Sequence, residues 1–131
     1  MHPKETRWRQ RLLDFAKSLA QLEKGLADER ADEVVRAGII QFFEMSFELA
    51  WKTLKDYLEA QGYDIKTPRE TLQQAFQLQV ISDGHAWIEA LEKRNLMAHT
   101  YNENTAREAE GLIRNQYFKL LKNLEAYLIG K

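Results

Sequence analysis

No cysteine occurs in the 131 residues, so disulfides, thiolate metal sites and a cysteine nucleophile are excluded, and an intracellular, cytoplasmic address is expected. Prolines number two and glycines six; with so few breakers and no alternating apolar and polar run, the sequence predicts helices throughout. No apolar stretch reaches the length of a membrane span, and the N-terminus opens charged rather than with a signal-type apolar run. The formal net charge is −1, which excludes the broad basic field of a non-specific nucleic-acid binder and leaves only local contacts to RNA. Three histidines, His2, His85 and His99, lie too far apart to suggest a zinc site. The chain also lacks a Gly-Ser dipeptide and any Asp-x-Asp, so it is not itself a nucleotidyltransferase. Walker, Rossmann, nucleophile-elbow and His-Glu-x-x-His patterns are absent too. Neither a metal nor a cofactor is expected.

What is present is ordinary globular material: 44% hydrophobic and 30% charged residues suit one soluble domain spanning 1–131 with one core. The first helix is predicted from about Glu5 to Ala27, because Trp8, Leu12, Phe15, Leu19, Leu22 and Leu26 recur at spacings of four and three. Asp32 is the expected N-cap of a second helix running to Gln61 and closed by Gly62. That helix is apolar round more than half its circumference, from Val35 to Leu58. It must be central, and part of its face is expected to join two copies in a homodimer. Its narrow polar stripe includes Glu44, Glu48, Lys52, Lys55 and Glu59. The i,i+4 pairs Glu48/Lys52 and Lys55/Glu59 favour a solvated face over catalytic carboxylates.

Thr67-Pro68-Arg69-Glu70 reads as a capping box for a short helix to about Gln79, with Leu72, Ala75 and Phe76 inward. Ser82-Asp83-Gly84 caps a fourth helix carrying Trp87, Ile88 and Leu91, with His85 on its surface. Thr100–Asn104 is predicted non-helical. Thr105-Ala106-Arg107-Glu108 is expected to start the last helix, which runs to Ile129 with Ala109, Leu112, Ile113, Tyr117, Leu120, Leu121, Leu124 and Leu128 inward. The sum is an all-α antiparallel bundle of four main helices and one short one. Arg7, Arg9 and Arg11, with Arg114, Lys119 and Lys122, form either a basic patch or scattered solvated charges, the latter being favoured.

The stretch Arg94-Asn95-Leu96-Met97-Ala98-His99-Thr100-Tyr101 departs from this pattern. At about 100° per residue, Trp87, Leu91, Arg94, Ala98 and Tyr101 share a stripe roughly 80° wide, with Asn95 at its edge. Arg94 thus occupies a nominal core position, where a desolvated guanidinium costs several kcal/mol unless partnered. His99 would lie about 140° away on an unbroken helix and meets Arg94 only if the arginine curls or the helix ends nearby. A guanidinium that grips phosphate and an imidazole that moves protons suit metal-free phosphodiester chemistry. An arginine near a helix C-terminus also complements the dipole, and a lone histidine there also serves as a cap.

Arg94-x4-His99-x-Tyr101, with polar Asn95 after the arginine, resembles the R-polar-x3-H motif of the HEPN superfamily. It looks most like the branch of nucleotidyltransferase substrate-binding proteins, short helical chains encoded beside a minimal nucleotidyltransferase. Phe43-Glu44-Met45-Ser46-Phe47-Glu48-Leu49-Ala50-Trp51-Lys52 is similar to a string on the second helix of the same branch. The resemblance implies a HEPN-like bundle, a symmetric homodimer with a composite site, and a minimal nucleotidyltransferase as partner. It further implies a metal-independent RNA endonuclease acting as a toxin, with Arg94 and His99 catalytic, Asn95 and Tyr101 binding substrate, and Tyr101 modified with nucleotide to silence it. The alternatives are a non-enzymatic subunit that binds nucleotide or substrate through the same residues, and a scaffold dimer without a site. Tyr101 also fits as a plain stripe residue.

Overall fold

The computed structural model describes residues 3–30, 32–97 and 102–131, without the side chains of Asn95 and Leu96. All regular structure among them is helical: α1 (Pro3–Ala27), α2 (Glu33–Ala60), α3 (Pro68–Gln77), α4 (Gly84–Met97), α5 (Glu103–Leu112), a π-helical stretch (Ile113–Tyr117) and α6 (Phe118–Ile129). The last three run on as one rod, so the expected four long helices and one short helix are found.

Helix α2 is the axis of the bundle and packs against every other α-helix. Phe43, Ala50, Leu54 and Leu58 on it are fully buried. Phe43 stacks on Tyr117 and lies tilted against Phe47, which in turn meets Trp87. The wide apolar surface predicted for α2 is thus largely covered within the chain. Ser18 and Ser46, buried between α1 and α2, share a hydrogen bond of 2.8 Å, so neither hydroxyl is stranded by close helix packing.

The caps follow the sequence in the first half. Asp32 accepts from the Val35 amide at 2.9 Å and Thr67 from the Glu70 amide at 3.1 Å. Helix α2 ends in a reverse turn in which the Gly62 amide bonds Glu59 O and the Tyr63 amide bonds Leu58 O, with Gly62 at φ 99°. That left-handed conformation costs a residue with a Cβ about 1–2 kcal/mol, which a glycine avoids. Helix α3 ends earlier than expected, by the same pair of bonds: Gln79 N to Phe76 O and Val80 N to Ala75 O. Here the left-handed position, φ 62°, is held by Gln79.

Three expectations need correction. Phe76 is not inward but 50% exposed, because its ring lies across Gly84, where an added Cβ would sit 2.9 Å from it. The last rod begins at Glu103 rather than near Thr105, since Asn102 accepts from the Asn104 amide and takes the capping role. Thr100 and Tyr101 lie outside the described residues, whereas Glu103 and Asn104 are helical.

The suggested basic patch does not form. Arg9 reaches the Lys131 carbonyl at one end of α1, while Arg114 reaches the Leu26 carbonyl at the other. Arg11 pairs with Asp56, Arg114 with Glu110, and Lys122 with Glu23 and Glu125.

Asp56 is a buried carboxylate in α2, 5% exposed. Arg11 Nη1 stands 3.2 Å from its Oδ2, an ion pair outside hydrogen-bond geometry. Burial raises the carboxyl above its ordinary value; Arg11 and Arg7 pull it back in part, Glu59 adds to the rise and Lys55 opposes it. The folded chain therefore holds this proton more tightly than the unfolded chain. Its contribution to stability is full below the unfolded pKa of about 3.9 and is lost as pH rises through the raised folded value. Asp56→Asn should remove that loss. In urea unfolding across pH, the stability of the variant relative to the parent is expected to grow from about pH 4 toward neutrality and then level off; a flat difference would refute it.

Candidate anion-binding site on the fourth helix

Helix α4 starts where Asp83 accepts from the Ala86 amide at 3.3 Å, and it is seated by Trp87 and Ala90, both buried. One face turns to the π-helical stretch, where Tyr117 Oη donates to Glu89 Oε1 at 2.5 Å. Burial, then the bond to Glu89 and its negative charge, push the Tyr117 phenol far above its ordinary range, so it stays a neutral donor. At the helix's far end Met97 is buried.

Between these anchors Arg94 leaves α4 toward α2. Its Nη1 donates to Glu48 Oε2 at 2.7 Å, and its side chain is 25% exposed. It is therefore at the rim of the seam rather than fully inside it, as a nominal core position would have been. Glu48 is the hub: Trp51 Nε1 donates to the same Oε2 at 3.0 Å, and Lys52 Nζ lies 3.3 Å from Oε1. A guanidinium has five N–H donors. Glu48 takes one, which draws the group toward α2 and leaves others for an anion.

Sequence reasoning assigned Glu48 to a solvated face because of its i,i+4 pairing with Lys52. That pairing is present, but the residue also joins the two distinctive strings of the sequence across 46 positions. Arg94 and Glu48 are thus brought together. Asn95 lies in α4 by its backbone, while His99 and Tyr101 fall outside the described residues.

A second feature was not visible in the sequence. Arg36, in the first turns of α2, is 8% exposed and donates to Glu110 Oε1 at 2.9 Å and to Glu103 Oε1. The bond to Glu110 holds the Arg36 guanidinium above its ordinary range against desolvation. Burial works against the charge on Glu110, but Arg114 and Arg36 keep its carboxyl low. This cluster fixes the start of α5, immediately after the stretch that follows Arg94.

An all-helical bundle with an oriented arginine on α4, set by an acidic residue of α2, is the architecture these observations define. The chain belongs to the nucleotidyltransferase substrate binding protein-like family, whose model matches residues 10–129. It is similar to a protein of Thermus thermophilus known from a crystal structure, with 31% identity, a TM-score of 0.78, and coverage of 87% of this chain and 98% of that one. No protein of curated function matches the chain. No helix among the described residues is long and apolar enough to cross a membrane.

Proposed function

We propose that this chain is the HEPN-type partner of a minimal nucleotidyltransferase and a metal-independent RNA endonuclease, the toxin half of a toxin-antitoxin pair. The observation that carries the reading is the guanidinium of Arg94, aimed by Glu48 and left with donors for a phosphate. In this mechanism Arg94 stabilises charge that builds on the scissile phosphate, and such aimed donors act most strongly in the transition state. His99 takes the proton from a ribose 2′-hydroxyl or gives one to the leaving oxygen. Asn95 holds the imidazole or the phosphate. Paired copies of the chain supply two arginines and two histidines to one cleft, enough for separate acid and base roles. Nucleotide attached to Tyr101 places negative charge where the RNA phosphate must sit, and so silences the site.

The family's description as substrate-binding favours a second reading, in which Arg94 and His99 only hold nucleotide for a separate transferase. One comparison separates the two. Purified protein is incubated with RNA in EDTA, as the parent and as His99→Ala. Cleavage that vanishes in the variant supports the nuclease. No cleavage, together with nucleotide-dependent association with a minimal nucleotidyltransferase, supports the binding subunit.

A further inference from the structure

Two departures from regular backbone stand out among the described residues. One is Gln79, the sole residue other than glycine with positive φ. The other is the π-helical stretch, which contains Asn115 and Gln116. Each borders one of two adjoining cavities that share Ser82, Leu120 and Asn123 and together form a groove between the α3–α4 connection and the last rod. Its inner part, about 260 Å³, is lined by Gln79, Ser82 and Asn123 over a floor of Trp87 and Leu124. Its outer part, about 370 Å³, shares Ser82 and Asn123 and adds Asn115, Gln116 and Lys119.

The turn at Gln79 ends α3, but the residue that occupies its left-handed position is not the one that costs least. The turn that ends α3 repeats, bond for bond, the turn that ends α2. The second helix uses Gly62 there, without steric cost; the third uses Gln79 and accepts the strain. Likewise, π-helical turns are rare and are frequent at functional sites. Strain held where a cheap alternative exists points to a ligand.

The lining says which kind. Gln79, Asn115, Gln116 and Asn123 are exposed at the groove, each carries a donor beside an acceptor, and none is committed to a side-chain hydrogen bond within the described structure. Asp83 is occupied in capping α4, and Lys119 is the one cation among the residues lining the groove. Uncharged amides read an uncharged edge with its own donor and acceptor side by side, as adenine presents at N6 and N7; the lysine suits an adjoining phosphate. Ala86, at the groove, is eight positions from Arg94 on α4, about 12 Å along the axis, within reach of a short unpaired strand.

We propose that this groove is a nucleobase subsite that holds an unpaired base of the RNA while Arg94 engages a phosphate further along the same strand. The proposal rests on the RNA reading of the Arg94 site, and its test keeps the two apart. Adenosine 5′-monophosphate and an unpaired oligoadenylate are titrated by NMR into the parent, Asn123→Ala, Gln79→Gly and Arg94→Ala. Asn123→Ala is expected to weaken mononucleotide binding about tenfold. Gln79→Gly should weaken it while raising the melting temperature, a combination that a purely structural role for Gln79 would not give. Arg94→Ala should leave the mononucleotide unaffected and weaken the oligonucleotide. Mononucleotide affinity unchanged in both groove variants, or resonance shifts confined to Arg94 and its neighbours, overturns the subsite even if RNA is cleaved. Groove binding without RNA cleavage by the parent upholds the subsite and removes the nuclease reading.

Discussion

Arg94→Ala is expected to lower metal-free RNA cleavage about 10²–10³-fold, the usual loss when one donor aimed at developing charge is removed, while leaving the fold intact. The two halves of this expectation come from the same contact. The Arg94–Glu48 pair spans side chains that are 25% and 43% exposed, and such pairs contribute only about 0–1 kcal/mol to stability. Its value therefore lies in aim rather than adhesion. Arg94→Lys keeps the charge but replaces a planar fork with a single point, and should recover only part of the rate. Glu48→Gln keeps an acceptor for Arg94 and for Trp51, and should be milder than Glu48→Ala. The check is single-turnover cleavage of one RNA substrate in EDTA, with melting curves recorded in parallel. A variant that melts like the parent and cleaves like it would remove Arg94 from the mechanism.

The opposite profile is expected at Phe43. Its side chain is fully buried, stacked on Tyr117 with ring centroids 5.6 Å apart and tilted against Phe47 at 5.8 Å. Phe43→Ala opens a cavity at the crossing of α2 with the last rod, where rigid helices on both sides cannot collapse to fill it. A loss of about 3–5 kcal/mol follows from comparable truncations, a large share of the roughly 5–15 kcal/mol that holds a typical domain folded. Urea unfolding of parent and variant measures it directly, and a loss below about 1 kcal/mol would mean that the aromatic cluster is loosely packed. Phe43 and Glu48 lie in the same distinctive string, so the segment that seats the core also orients the guanidinium.

The helical order was legible in the sequence because each long helix shows its apolar stripe at spacings of three and four, and because Asp32, Thr67 and Gly62 mark their ends by side-chain chemistry. Elsewhere the local pattern misled. Thr105-Ala106-Arg107-Glu108 has the spacing of a capping box, yet the helix starts earlier, at Glu103, where the Asn102 side chain accepts from the Asn104 amide. Phe76 has the period of a core residue, yet the bareness of Gly84 lets its ring rest on the surface. The π-helical stretch left no trace, since Ile113 and Tyr117 keep ordinary helical spacing. Arg94 drew notice because a charge interrupted an apolar stripe. Glu48 read as part of a solvated stripe and Arg36 not at all, because their decisive partners lie 46 and 67–74 positions away, beyond the range of any local pattern.

The pairing of the outer arginines and Lys122 with neighbouring carboxylates and carbonyls bears on how a nucleic acid would arrive. With acidic residues balancing the basic ones to a formal net charge of −1, no broad positive field faces a polyanion, so little of the binding would come from release of condensed counterions, and attraction would fade within a Debye length of about 8 Å in physiological salt. Encounter by such a surface is not steered from afar: selection happens only after contact, through the shape of the cleft and the few groups that line it.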